Sequence, residues 1–323
     1  MTPASSTPSP IRHYLWAGLD FMFDSAGRPV LLDANRASHM MVEYMAIIGD
    51  QRPFALTAAR MNQAGGAPCL LWRRDEPQAD GGEDAPFMAH HLSKHLAAEP
   101  VVCNVEDNQE PRADLIARDG RRVRPGSIFR WWYGLPWSYE RTGTLVVNPN
   151  AVWAVVRDKG LYPGQFANAE HFRVAAAFPV ATEQEAVDRI AEHHDVFAHG
   201  FVLKPRVGWG GHGVQVGDAG ARPGPVSEPS VLCERVMPPR RNGRFWDVRV
   251  FVMDGEYLGG IEYSSVRPVT NFHQGGSASP LDPELARRLR EPALEAVCRI
   301  DALAHAIYTL PKPPDTPLVN VTY

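Results

Sequence analysis

The sequence predicts an α/β (α+β) fold, and three patterns carry this prediction. Apolar runs separated by turn residues predict strands in 14–33, 200–205, 230–236 and 246–264. Thr182 is a preferred helix N-cap and Glu185, three residues later, completes a capping box, so a helix is predicted after Thr182. A longer helix is predicted over 282–308, where Ala, Leu, Glu and Arg predominate. Strands and helices mixed along one chain are typical of α/β proteins.

Composition excludes several classes of function. The chain has 323 residues, 44% of them hydrophobic, and a formal net charge of -4, which argues against a nucleic-acid partner. No apolar run is long enough to span a membrane. Residues 1–13 lack the basic start and apolar core of a signal peptide and are predicted to be a disordered leader. The 4 cysteines lie far apart with no CxxC pair, which disfavours a zinc site or a disulfide framework, so a cytoplasmic protein is expected.

The most informative segment is a hairpin predicted over 19–35, with the sequence LDFMFDSAGRPVLLDAN. A turn centred between Ala26 and Gly27 sets Asp20 opposite Asp33, with Asn35 on the same face. Two like charges directly across a hairpin repel each other, and a divalent cation would remove that cost. Three oxygen donors without His or Cys favour magnesium. The alternative is an edge hairpin whose acidic side chains face water.

This hairpin resembles the closing motif of the ATP-grasp ligases, especially the D-alanine–D-alanine ligases. In that motif an Asp, a Glu and an Asn hold two magnesium ions, so the resemblance implies Asp20, Asp33 and Asn35 as metal ligands. Asp33 stands where Glu is usual and shortens the reach of that ligand. Residues 36–39 replace the Pro-Gly turn with which the family commonly continues.

Two lysines and a glycine-rich segment resemble the phosphate-binding parts of the same superfamily. Lys159 follows an Asn-Pro turn and a short predicted helix, where the family places its first ATP lysine. Lys204 lies in an apolar strand, an expensive place for an ammonium group without a partner. The segment after it resembles the loop that covers the ATP phosphates, and glycines there let backbone N–H groups approach an anion. Its residues are Gly208, Gly210, Gly211, His212 and Gly213. The alternatives are a solvated lysine at a helix end and a glycine-rich hairpin tip.

The remaining motifs follow in the family's order. Glu234 resembles the acceptor of the adenine amino group, and Arg235 and Val236 would offer backbone groups to the ring. Asp247 and Arg249 form a DxR pattern like that of the glutathione synthetase and ribosomal-protein-modifying branches, which implies that Arg249 contacts a phosphate or the acyl-phosphate. The segment 270–279 resembles their N-x-x-x-G-G motif, and its residues are Asn271, Gly275 and Gly276. The alternative for that segment is a loop without a binding role.

The closing motif comes first in this chain, so the resemblance implies a circularly permuted ATP-grasp fold with a small α/β subdomain and two nucleotide-clasping subdomains. The predicted divisions are a leader (1–13), a permuted metal-binding segment (14–45), a substrate-side α/β subdomain (46–145) and the nucleotide-binding subdomains (146–323). Chain ends often lie close together, which makes such a permutation physically easy. It predicts that 308–323 lies near 14–20.

The resemblance implies an ATP- and Mg²⁺-dependent carboxylate–amine ligase that forms an acyl-phosphate and releases ADP. Lys204 and Arg249 would act on the transferring phosphoryl group. Expected partners are a small carboxylic acid and an amine, such as amino acids or small peptides of a natural-product pathway, and a homodimer is a family-level expectation. Arg130 and Arg141 lie among tryptophans and could grip a substrate carboxylate, with Arg267 as a further candidate, although a core cluster with solvated arginines fits equally well. An ATP-grasp kinase and a non-catalytic nucleotide-binding regulator are the alternative functions.

Overall fold

The computed structural model describes residues 11–36, 41–72, 84–109, 113–130, 143–208, 212–237, 240–268, 270 and 276–310. The helices are α1 (Met41–Ile47), α2 (Arg52–Ala64), α3 (Asp84–Ser93), α4 (Asn150–Val156), α5 (Tyr162–Gln165), α6 (Glu183–Glu192) and α7 (Pro283–Tyr308), with 3-10 turns at Glu106–Asn108 and Lys159–Leu161. The strands are β1 (Trp16–Phe23), β2 (Pro29–Arg36), β3 (Ala67–Trp72), β4 (Val101–Asn104), β5 (Leu115–Ile116), β6 (Arg122–Val123), β7 (Pro125–Arg130), β8 (Leu145–Val147), β9 (Arg173–Val174), β10 (Ala177–Val180), β11 (Phe201–Pro205), β12 (Gln215–Gly217), β13 (Ser230–Glu234), β14 (Phe245–Met253), β15 (Glu256–Ser265) and β16 (Ser277–Pro280).

A six-stranded sheet with the order β16-β15-β14-β1-β2-β9 unites the two ends of the described chain. The first hairpin enters it because β1 pairs antiparallel with β14. The turn at Asp254-Gly255 joins β14 to β15, and both residues have positive φ (47° and 78°), as a two-residue type I′ hairpin requires. Val248, Val250 and Val252 are fully buried, whereas Asp247 and Arg249 point to the opposite face.

Two smaller sheets accompany the large one. An antiparallel sheet with the order β10-β13-β11-β12 carries Lys204 on β11 and Glu234 on β13. A parallel sheet with the order β4-β3-β7-β8 lies between residues 67 and 147, inside the segment predicted as the substrate-side subdomain. The division of the chain into 1–13, 14–45, 46–145 and 146–323 stays a prediction.

The predicted helices form, and their signals explain where they begin. The Thr182 hydroxyl accepts from the Glu185 N–H (3.1 Å), which confirms the N-cap of α6. The carboxylate of Asp282 caps the first turn of α7. The buried residues of α7 recur every three or four positions, so one face packs against β14 and β15. They are Leu285, Leu289, Pro292, Ala293, Ala296, Val297, Ile300, Asp301 and Ala304.

The two ends of the described chain meet beside α7. The carboxylate of Asp301 accepts backbone N–H groups of His13 (2.7 Å) and Tyr14 (2.8 Å). The ring of His13 lies 4.7 Å from that of Tyr308 at the end of the helix. The described part of the chain therefore ends near its beginning, as a permuted order requires. Residues 311–323 lie outside the described residues, and the permutation itself stays a prediction.

Candidate nucleotide and metal site

The acidic hairpin has the pairing that the sequence predicts, reached through an irregularity that it does not. Asp20 pairs with Asp33, as predicted. Nearer the turn the register shifts by one, with Phe21 opposite Leu31, so Leu32 lies in a bulge between the two registers. The turn is correspondingly tighter than predicted, with hydrogen bonds between Asp24 and residues 27 and 28. The bulge frees the Leu32 carbonyl from the sheet.

Asp20 lies in a bidentate ion pair with Arg249, its neighbour across β1 and β14. Arg249 donates from Nε to Oδ1 (2.6 Å) and from Nη2 to Oδ2 (2.8 Å) of Asp20. Asn35 donates from Nδ2 to the same Oδ2 (3.2 Å). Burial acts to lower the pKa of Arg249, but the charge and hydrogen bonds of Asp20 outweigh it and raise that pKa. Arg249 is therefore a permanent cation beside the acid pair.

Asp33 is held by a buried tyrosine and faces a lysine. The hydroxyl of Tyr162 lies 3.2 Å from Asp33 Oδ1, and the Ala34 N–H donates to the same oxygen (3.0 Å). The other oxygen, Oδ2, lies 3.4 Å from Lys159 Nζ. Tyr162 is 4% exposed, and burial, followed by the charge of Asp33, raises its pKa. Its proton therefore stays in place, and the hydroxyl also lies 2.8 Å from the Val156 carbonyl.

The acid pair fits magnesium by a count of lone pairs. A carboxylate offers about four lone-pair positions, and the donors described above leave one free on Asp20 Oδ1 and one on Asp33 Oδ2. No donor among the described residues bonds Oδ1 of Asn35. Among these residues no group of three or more His, Cys, Asp or Glu side chains could hold a metal. Two carboxylates and an amide are the partial ligand set that Mg²⁺ accepts when phosphates complete it.

Both predicted phosphate lysines converge on this hairpin. Lys204 donates to the carbonyl of Leu32 (3.2 Å), which the bulge makes available. Lys159 donates to the carbonyl of Gly208 (2.9 Å) at the start of the glycine-rich segment. Gly213, at the end of that segment, has a positive φ of 69° and lies against Pro205, so a side chain there would be strained. His212 is exposed, and Gly210 and Gly211 lie outside the described residues.

Glu234 has a partner that the sequence analysis missed. Arg173, on β9, donates from Nη1 to Glu234 Oε1 (2.7 Å) and from Nε to Asp24 Oδ2 (3.1 Å). The Ala176 N–H donates to Glu234 Oε2 (3.0 Å). An adenine is therefore not needed to explain a charged residue in this apolar strand, and the adenine role of Glu234 stays a prediction.

The two residues after Glu234 offer one complementary pair of backbone groups. The N–H of Arg235 is used, since it donates to the Gly200 carbonyl (3.3 Å). Neither the Arg235 carbonyl nor the Val236 N–H has a hydrogen-bond partner among the described residues. One acceptor followed by one donor matches the amino group and N1 of adenine.

Asp247 lies one step along the same face as Arg249. Burial raises the pKa of Asp247 to about 7, against the opposing hydrogen bond from Thr270; Asp20 adds to the rise and Arg249 opposes it. The Asp247 carboxyl therefore keeps its proton up to about neutral pH.

Of the predicted site residues, those assigned to substrate binding are the least clearly brought together by the described structure. Arg130 is only 2% exposed and donates to the Asn148 carbonyl (3.0 Å) and to Asn150 Oδ1, which ties β7 to the turn before α4. That is a structural environment, and its role toward substrate stays a prediction. Arg267 is exposed and its N–H donates to Ser265 (3.0 Å). Gly276 begins the segment before β16. Arg141, Asn271 and Gly275 lie outside the described residues.

Solved structures share this arrangement of elements. Over 92% of this chain and 89% of its own, a protein from Methylobacillus flagellatus KT, provisionally assigned as a gamma-glutamylcysteine synthetase, superposes with a TM-score of 0.54 at 12% identity. The chain has the ATP-grasp fold. The predicted fold class is confirmed at this level, and the low identity shows the fold alone.

Two further solved structures superpose less well on this chain. A glutathione synthetase-like effector from Globodera pallida has a TM-score of 0.45 at 11% identity, covering 82% of this chain and 75% of that one. The D-cycloserine synthetase DcsG has a TM-score of 0.44 at 18% identity, covering 77% and 84%. Comparison with family models and with curated proteins gives no match. None of the helices in the described ATP-grasp chain is long and apolar enough to cross a membrane.

Proposed function

We propose that this protein is an ATP-dependent ligase that joins a carboxylic acid to an amine through an acyl-phosphate and releases ADP. The observation that carries the proposal is a row of charges across three adjacent strands. Asp33, Asp20 and Arg249 stand side by side on β2, β1 and β14. Lys204 and Lys159 reach the same hairpin from a different sheet and from the turn after α4. Cations around paired carboxylates are the arrangement that phosphoryl transfer needs.

The role proposed for each residue follows from its position in the site. Asp20, Asp33 and Asn35 would hold Mg²⁺, which supplies charge stabilisation on the phosphates when bound. Lys159 and Lys204 are point charges for the same phosphates, and each now rests on a backbone carbonyl that a stronger acceptor can replace. The Arg249 guanidinium is held beside the acid pair and would orient the substrate carboxylate while it is phosphorylated.

The chemistry needs no protein nucleophile. An oxygen of the substrate carboxylate attacks the γ-phosphorus of ATP, the bond to the bridging oxygen breaks, and ADP leaves. The amine then attacks the acyl carbon, the carbon–oxygen bond to phosphate breaks, and inorganic phosphate leaves as the nitrogen loses a proton. Amino acids and small peptides are the proposed substrates.

The test is turnover of the purified protein with ATP, MgCl₂ and pools of amino acids, with and without hydroxylamine. We expect ADP and phosphate in equal amounts only when a particular acid is present, with its hydroxamate formed when hydroxylamine replaces the amine. Lys204→Met should abolish ADP release, and Lys94→Met, which changes an exposed lysine, should not. A phosphorylated product without hydroxamate would instead indicate a kinase, and ATP binding without turnover would indicate a non-catalytic binder.

A further inference from the structure

Glu43 lies beside this site, outside the family motifs, and only one of its two carboxylate oxygens has a hydrogen-bond partner among the described residues. Glu43, on α1, accepts a hydrogen bond from the Tyr263 hydroxyl through Oε2 (2.9 Å). Its other oxygen, Oε1, is buried and has no hydrogen-bond partner among the described residues. Leaving a buried charged acceptor without a donor is costly, and each such atom in a folded protein calls for an explanation.

Tyr263 connects Glu43 to the row of charges. It lies opposite Asp247 across β14 and β15. Its ring centre is 5.6 Å from the guanidinium carbon of Arg249, which holds Asp20. Glu43 is therefore separated from the acid pair by one aromatic ring and one guanidinium, on the face where the acyl-phosphate would form.

The charges on this face favour a further cation. Arg249, a cation on this face, is already paired with Asp20 and so does not balance Glu43. No described Lys or Arg forms an ion pair with Glu43. A bound cation would give Oε1 its missing partner and balance the charge of Glu43.

The environment of Glu43 suits an ammonium group better than a metal ion. A metal needs several oxygen ligands, and no described cluster of three or more carboxylates or imidazoles supplies them. The neighbours of Glu43 on α1 are apolar or fully buried, as Met41 and Tyr44 show. An ammonium carries three N–H donors, and one buried carboxylate oxygen is a strong acceptor for one of them.

We propose that Glu43, held in place by Tyr263, binds the ammonium group of an amino-acid or peptide substrate. This inference rests on the proposed function and narrows it: the substrate that occupies this end of the site carries a free amino group near its reacting carboxylate. Glu43 acts by ion pairing, and no proton or group transfer is assigned to it.

Thermal unfolding of the full chain tests the proposal. The ligands are the twenty amino acids and glycyl dipeptides, each compared with the matched carboxylic acid that lacks the amino group, in the presence of Mg²⁺ and the non-hydrolysable nucleotide AMP-PNP. We expect at least one amino compound to raise the Tm of the wild-type protein, and its des-amino analogue to bind at least tenfold more weakly. Glu43→Gln should lose that preference with at least a tenfold rise in Kd, and Tyr263→Phe should lose part of it. Glu256→Gln, at an exposed glutamate of β15, is the matched control.

The results separate this inference from the proposed function. The Tm shift caused by AMP-PNP and Mg²⁺ alone should be the same in Glu43→Gln and wild type, which also shows that the variant folds. A wild-type protein that responds to AMP-PNP but to no amino compound overturns the inference and leaves the proposed function standing. Equal binding of amino and des-amino compounds, or unchanged binding by Glu43→Gln, also overturns it. Absence of any nucleotide-dependent shift in the wild type counts against the proposed function instead.

Discussion

Replacing Asp247 by Asn should stabilise the protein, and increasingly so as the pH rises. The pKa of Asp247 is raised by burial to about 7, whereas an Asp in an unfolded chain has a pKa of about 3.9. Between these values the folded state binds more protons than the unfolded state, so the free energy of unfolding falls as pH rises. Below about pH 4 both states are protonated and the Asp247 carboxyl adds no pH dependence.

The size of the effect follows from the shift. About three pKa units at 1.36 kcal/mol each give an upper limit of about 4 kcal/mol above pH 7. Because Asp247 is half-buried and water screens it, we expect about 2–3 kcal/mol. Asn keeps an oxygen that can accept from the Thr270 hydroxyl, so the change removes the charge and leaves that hydrogen bond.

Urea unfolding at pH 4.5, 6, 7 and 8.5 measures the free energy of unfolding of Asp247→Asn and of the wild type. EDTA is present to exclude divalent cations. Asp247→Asn should match the wild type within about 1 kcal/mol at pH 4.5 and exceed it by about 2–3 kcal/mol at pH 8.5. Asp195→Asn, at an exposed aspartate, should show no such trend. A difference between variant and wild type that stays constant across this pH range would refute the reasoning.

Three further substitutions test other contacts of the site. Tyr162→Phe removes the hydroxyl that contacts Asp33 and should cost about 1–3 kcal/mol of stability and raise the Mg²⁺ concentration needed for half-maximal ADP release; unchanged Mg²⁺ dependence would contradict its positioning role. Arg173→Met leaves Asp24 and Glu234 without their shared cation and should cost about 2–4 kcal/mol near neutral pH, less near pH 4, in urea unfolding. Lys204→Met should weaken binding of ATP at least tenfold by calorimetry, and Lys94→Met should not.

Local signals in the sequence predict the elements of this fold because each rests on a short-range rule. The Thr182 cap is found as predicted, and the strands predicted in 246–264 form a hairpin with its turn at Asp254-Gly255. The short strands β9 and β10 were not predicted. A two-residue strand such as β9 forms through its pairing with β2, which no local pattern records.

The partners of the site residues depend on distant parts of the chain and could not be predicted. Asp20 is neutralised by Arg249, 229 positions away. Arg249 therefore reduces the repulsion between Asp20 and Asp33 without a metal ion. Glu234 finds Arg173 across two sheets. The bulge at Leu32 changes the turn and still preserves the pairing of Asp20 with Asp33. Sequence reasoning named Asp20, Arg249 and Glu234 but missed that Arg249 pairs with Asp20 and that Arg173 pairs with Glu234.

Glu43 and Tyr162 had no sequence signal as site residues. Glu43 follows the acidic motif by eight positions and reads as an ordinary residue of a short helix. Tyr162 follows Lys159 in a segment without a recognisable pattern. Only the fold shows that one reaches Tyr263 and the other Asp33.

The central claim is that the substrate carboxylate becomes an acyl-phosphate, and isotope transfer tests it most directly. The acid that supports ADP release would be labelled with ¹⁸O in its carboxylate, and the phosphate released with Mg²⁺ and ATP would be examined by mass spectrometry. The ligase mechanism predicts one ¹⁸O atom in each inorganic phosphate, because the carbon–oxygen bond to phosphate breaks when the amine attacks. Unlabelled phosphate, or release of AMP and pyrophosphate in place of ADP, would contradict it.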